Sequence, residues 1–144
     1  MKILKYLLAL VFLFVIVKLT GFAILETLSD YRTGDGKETD FGLTNNLREL
    51  GVNVYSVRIE SNGARKIVVD YEPQFRGGDN EMLMDYGIII GYIYAEKDFD
   101  VLIINNYFDG YEVLTVYISY SAIYSYIHGE MSVDDFKESW EVYT

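Results

Sequence analysis

Residues 99–120 read FDVLIINNYFDGYEVLTVYISY, two β-branched and aromatic runs on either side of Asp109-Gly110. Val, Ile, Thr and Tyr suit a pleated, half-buried surface, and an Asp-Gly pair between such runs supplies the two positive-φ positions of a tight hairpin turn. The spacing predicts a hairpin from Phe99 to Phe108 and from Tyr111 to Tyr120. A two-residue turn pairs Ile103 with Val116, Val101 with Ile118 and Asn105 with Leu114, which gives one face the apolar character of a core. The opposite face carries Leu102, Ile104, Val113, Thr115 and Tyr117. It is too apolar to be simply wet, so part of it needs a cover.

Upstream, a helix is expected from Asp79 as cap to about Lys97, with Met82, Tyr86, Ile89, Ile90 and Ile93 on one face. Gly87, Gly91 and Ala95 form a small-residue row at spacing four that permits close backbone approach. Before it stand two more strand-like runs, Val52 to Glu60 and Arg65 to Glu72, around Ser61-Asn62-Gly63-Ala64. A two-residue Asn-Gly loop would mix their faces. An odd-length loop pairs Ile59 with Ile67, Val57 with Val69, Tyr55 with Tyr71 and Glu60 with Lys66, and keeps one face apolar, so a loop of three or five residues is expected. A short helix capped by Asp40, with Leu43, Leu47 and Leu50 inward and Gly51 ending it, precedes this hairpin.

Downstream, Ser121 to His128 reads as a short helix ended by Gly129. Ser132 caps a last helix, with Asp135 as capping-box partner and Met131 stapling to Phe136. Val133, Phe136 and Trp140 give that helix a docking side. The expected fold is α+β: an N-terminal transmembrane helix followed by an α-β-β-α-β-β-α-α domain with an antiparallel four-stranded sheet. The doubled ββ pattern resembles the α-β-β-α-β-β plan of several small periplasmic modules. The ending, from Tyr117-Ile118-Ser119 through Tyr126-Ile127-His128-Gly129-Glu130-Met131-Ser132 to Phe136, is similar to the tails of uncharacterised membrane-anchored or exported archaeal proteins. That likeness is mostly capping and packing chemistry and implies no activity.

At the N-terminus Lys2 and Lys5 precede an unbroken apolar run from Tyr6 to Val17, followed by Lys18 and Gly21-Phe22-Ala23-Ile24-Leu25. Residues 6–25 as a helix, at ~1.5 Å per residue, match a hydrocarbon core of ~30 Å, and Lys18 can snorkel outward. Residues 1–28 are therefore expected to anchor the chain in the lipid bilayer or to act as a signal segment, with a buried helix of the domain as the third reading. Residues 29–39 read as a flexible stalk and 40–144 as an extracytoplasmic domain. The lysines favour a cytoplasmic N-terminus. The chain is then a single-pass protein of the cell membrane with its domain outside, or a secreted one if the segment is cleaved. Gly21 and Glu26 have the spacing of a type IV pilin processing site, but in that family the hydrophobic helix follows the Glu, and here it precedes it.

With 22 acidic against 12 basic side chains, net charge −10, the surface repels phosphate backbones, and nucleic acid is not an expected partner. No cysteine is present, which removes disulfides, thiolate metal sites and cysteine nucleophiles. No cofactor or metal motif is legible. The single His128 precedes a helix-ending glycine, and no nucleophile-elbow motif accompanies the nearby serines. The carboxylates form no calcium loop and no paired acid-base motif. The unusual quantity is tyrosine, 14 in all, with Tyr107, Tyr111, Tyr117, Tyr120, Tyr124 and Tyr126 crowded into the second hairpin and the helix after it. Tyrosine suits both the seam between sheet and helix and a contact surface for protein or glycan. The leading expectation is a non-catalytic interaction or structural module. The alternatives are a small carboxylate-based hydrolase and a small-ligand or calcium-binding domain.

Overall fold

The computed structural model describes residues 37–61, 63–76 and 80–144. Six strands form one sheet in sequence order: β1 (Lys37–Thr39), β2 (Val54–Glu60), β3 (Lys66–Tyr71), β4 (Val101–Phe108), β5 (Tyr111–Ser119) and β6 (Glu141–Tyr143). Among the described residues four helices accompany them, α1 (Phe41–Glu49), α2 (Glu81–Glu96), α3 (Tyr120–Ile127) and α4 (Val133–Glu138). Neighbouring strands are antiparallel except β3 and β4, which run parallel.

The expected antiparallel four-stranded sheet is overturned by this six-stranded mixed one. The reason is α2, whose 16 residues carry the chain back along the sheet, so β4 starts at the end where β3 started. A connection of that kind makes neighbouring strands parallel. The parallel start is fixed by Arg65, whose carbonyl accepts from Asp100 N–H at 2.8 Å and whose own N–H donates to the Asp100 carboxylate at 2.8 Å. The two extra strands are edges of three residues each. β1 lies within the stretch read as stalk, and β6 follows α4. No helix among the described residues is long and apolar enough to cross a membrane; the anchor assigned to residues 6–25 lies outside the described residues.

In the first hairpin Ile59 pairs with Ile67, Val57 with Val69 and Glu60 with Lys66, the register that keeps those apolar residues together. At the far end Tyr71 pairs with Val54 and not Tyr55, because a bulge places Tyr55 out of the ladder. The second hairpin departs further from the expected register. It turns at Asp109-Gly110, with φ of 52° and 83°, but an extra residue at Val113 shifts the pairing. Ile104 now faces Val116, and Leu102 faces Ile118. A single inserted residue exchanges the faces of one strand relative to its partner, so Leu102 and Ile104 turn to the core. Side chains take up carbonyls in the first bulge and beside the second. Arg48 of α1 donates to Val54 and Tyr55 oxygens at 2.8 and 2.9 Å, and Asn106 donates to Leu114 oxygen at 3.3 Å.

The helices bury their apolar sides in one cluster with Val57, Ile67, Val69, Leu102, Ile104, Val116 and Ile118, which share one face of the sheet. Asp40 caps α1 by accepting from Leu43 N–H at 2.9 Å, and Lys97 at the end of α2 reaches the same carboxylate at 3.6 Å. Thr44 ties α1 to the sheet, its oxygen accepting from Val57 N–H at 2.9 Å. Ser132 caps α4. Phe136 of that helix stacks on Tyr126 at 4.6 Å and is buried, and Trp140, half-buried beyond the helix, packs against Phe136 and Tyr86.

A six-residue helix is too short to persist without docking. Phe136→Ala should therefore lower unfolding free energy by about 3–5 kcal/mol in urea titration. Val142→Ala on the exposed edge strand should change it by less than about 0.5 kcal/mol. Equal effects of the two would mean that α4 does not dock as described.

Candidate functional site

Two polar constellations stand out, one under the helices and one on the opposite side of the sheet. The covered one sits where β3 and β4 end beneath the start of α2. Tyr71 donates its hydroxyl to the buried Asp85 carboxylate, and Tyr86, the next residue of α2, donates to Asn106 Oδ1 at 2.7 Å. Asn106 in turn holds the carbonyls of Ile104 and Leu114. Each group in this chain of bonds has a partner, as burial requires. Burial raises the proton affinity of Asp85 above the usual aspartate range, against the hydrogen bond from Tyr71. Beside it, the Glu81 carboxylate accepts three successive backbone N–H groups, of Gln74, Phe75 and Arg76, at 2.8, 2.5 and 2.8 Å. This pins Phe75 at φ 54°, a costly conformation for a bulky residue. These interactions lock helix to sheet.

The second constellation lies on the sheet face that carries no helix among the described residues. Alternation puts Ser56 and Arg58 of β2, Val68 and Asp70 of β3, Ile103, Asn105 and Tyr107 of β4, and Thr115 and Tyr117 of β5 on that face. A hydrogen-bonded ladder crosses four strands. Asp70 accepts from Ser56 at 2.9 Å, from Arg58 at 3.2 Å and from Asn105 at 2.9 Å. Asn105 Oδ1 lies 3.0 Å from the Thr115 hydroxyl, which also lies 2.8 Å from Glu112. A hydroxyl has one proton, so those two acceptors share it. Arg58 adds an ion pair to Glu60 at 3.4 Å. Asp70 is only 8% exposed.

Tyrosines flank the ladder in two edge-to-face pairs, Tyr55 with Tyr107 and Tyr117 with Tyr143, each with ring centroids 5.3 Å apart. β2 and β4 stand about 10 Å apart across β3, so the first pair must lean together over the end of β3. Desolvation, then the carboxylates of Asp70 and Glu112, raise the Tyr107 hydroxyl above its ordinary value; desolvation, then Glu72, does the same for Tyr55. Tyr143 is raised by its hydrogen bond to Glu141.

The six tyrosines singled out from the sequence do not form one patch. Tyr107 and Tyr117 lie on the helix-free face. Tyr111 is exposed at the hairpin tip. Tyr120 stacks on Tyr94 and meets Phe99 edge-on in the seam between α2, α3 and the sheet. Tyr124 is partly exposed and stacks on His128 at 3.9 Å, while Tyr126 is buried. Tyr55 and Tyr143 complete the helix-free face and were missed. Tyr55 turns to it only through its bulge, and Tyr143 belongs to an edge strand of three residues. The signal that was available is the alternation of Ser56, Arg58, Asp70, Asn105 and Thr115 along four predicted strands. His128 ends α3, its Nδ1 2.8 Å from the Tyr124 carbonyl. No group of three or more ligand-type side chains able to hold a metal ion occurs among the described residues. No protein-family model, no curated protein and no solved structure matches the chain.

The raised proton affinity of Asp85 has a definite sign. The folded protein holds that proton more tightly than the unfolded chain, so this group favours folding most below the ordinary value of 3.8. The contribution is lost as pH rises through the folded-state value. Asp85→Asn keeps an acceptor for Tyr71 and removes the titration. Relative to wild type it should gain stability between about pH 4 and neutral pH. A relative loss over that interval, in paired urea titrations, would show that the charged carboxylate stabilises the fold.

Proposed function

We propose that the chain is a membrane-anchored extracytoplasmic interaction module without catalysis, and that the helix-free sheet face is its contact surface. The observation that supports this most is the ladder Ser56–Asp70–Asn105–Thr115 between two tyrosine pairs. Its members satisfy one another, so the face is stiff before any partner arrives, and little ordering cost accompanies binding. Buried Val68 and Ile103 lie between the polar residues, and rigid tyrosines stand at both sides, a mixture common in contact surfaces for protein or glycan.

The face argues less well for hydrolysis. A general acid needs an elevated proton affinity and an open path to substrate. Asp70 is tied to Arg58, and the carboxyl with raised affinity near the parallel strand ends, Asp85, is sealed under Tyr71. The anchoring role belongs to residues 6–25, with Lys2 and Lys5 on the cytoplasmic side and the domain outside; cleavage after that segment would release the domain.

A photo-crosslinking side chain placed at Tyr117 or Tyr107 in the full chain should give discrete adducts in the native cells. The same group at Asn45, exposed on α1, should give none of those adducts. Adducts from α1 alone would move the contact surface to the helical side and end this proposal.

A further inference from the structure

Resting on the reading of the helix-free face as the contact surface, we propose that its partner is a basic protein segment whose arginine or lysine side chains seat at the Tyr55–Tyr107 corner. Charge favours such a partner. Among the described residues, the face and its margin carry the carboxylates of Glu60, Asp70, Glu72, Glu112 and Glu141 against the cations Arg58 and Lys66, with Arg48 at the margin bonded to the Tyr55 carbonyl. Arg58 is already engaged by Glu60 and Asp70. Glu72 accepts from Gly110 N–H at 3.0 Å, which brings the hairpin turn and Asp109 to the same corner. Both Glu72 and Asp109 act electrostatically on Tyr55; on Tyr107 Asp70 and Glu112 act in the same sense and Arg58 in the opposite one. The corner thus combines an edge-to-face aromatic pair with a surplus of negative charge. Guanidinium and ammonium groups are attracted by both, through the ring faces and through the carboxylates.

Other occupants use less of what is there. A second copy of the chain would set this acidic face against its own like charge, and phosphate backbones or anionic headgroups are repelled. A neutral glycan can stack on the rings but leaves the charge unused. The chain enters the sheet at Lys37, which pairs with Glu60 beside the Lys66 and Val101 ends of β3 and β4. The Asp109-Gly110 turn and the Tyr55–Tyr107 corner are at the other end of the sheet.

The test uses the full chain purified in neutral detergent, titrated with a capped Gly-Arg repeat peptide, a Gly-Glu repeat peptide and a neutral oligosaccharide. Glu72→Gln with Glu112→Gln keeps the acceptor atoms and removes two charges. Glu49→Gln with Glu138→Gln, both exposed and away from the face, removes the same charge elsewhere. The wild type should bind the arginine peptide and not the glutamate peptide. The face pair should weaken binding about three- to tenfold, Tyr107→Leu about two- to fivefold, and the distant pair less than about twofold. Equal weakening by the two charge-matched pairs would reduce the effect to general attraction and overturn the proposal. Oligosaccharide binding lost in Tyr107→Leu, with no binding of the arginine peptide, would also overturn it while leaving the face as the contact surface.

Discussion

The parallel contact between β3 and β4 is the constraint on which the rest of this structure depends. Two strands can lie parallel only if the chain between them returns along the sheet, and α2 does so at the cost of crossing the whole core. Two adjacent residues of that helix then bond to the strand ends it spans: Asp85 takes the Tyr71 hydroxyl, and the Tyr86 hydroxyl goes to Asn106. Asn106 is also the side chain that satisfies the Leu114 carbonyl beside the β5 bulge. The helix crossover, the parallel register and the bulge that turns Leu102 and Ile104 inward are thus linked through a few buried polar groups. Such groups are costly when unpaired, which ties the helix to one position on the sheet.

Once α2 is fixed on one face, α1, α3 and α4 join it there. Their apolar residues share a cluster with that side of β2 to β5. No helix among the described residues lies on the second face. It holds buried Asp70, Val68 and Ile103 beside neighbours joined by hydrogen bonds and ring contacts. The polar residues of this face form a connected ladder, with tyrosines placed in pairs at its sides.

Much of this architecture was legible in residue patterns. The caps at Asp40 and Ser132, the first-hairpin register around Ile59 and Ile67, and the Asp109-Gly110 turn follow from local chemistry, and local chemistry is what a sequence displays. The parallel junction is a non-local fact. Its one local trace is the run Ile67-Val68-Val69, buried on both faces as central parallel strands are. Bulges are harder still, because one extra residue at Tyr55 or Val113 leaves no compositional mark, yet it decides which face a side chain joins. For the same reason the tyrosine crowding between 107 and 126 did not foretell a patch. Neighbours along the chain were distributed to the bare face, the hairpin tip, the helix seam and the core, while Tyr55 and Tyr143 came to the face from elsewhere.

On the proposed function, the sheet face with no helix among the described residues is the surface the protein uses. Tyrosine-directed covalent labelling of the full chain, in its own cells and after purification, tests this most directly. Tyr55, Tyr107, Tyr117 and Tyr143 should react less in the cell than in the purified chain, while Tyr111 and Tyr124 react equally in both. Unchanged reactivity across the face, or protection confined to Tyr124 on the helical side, would contradict it.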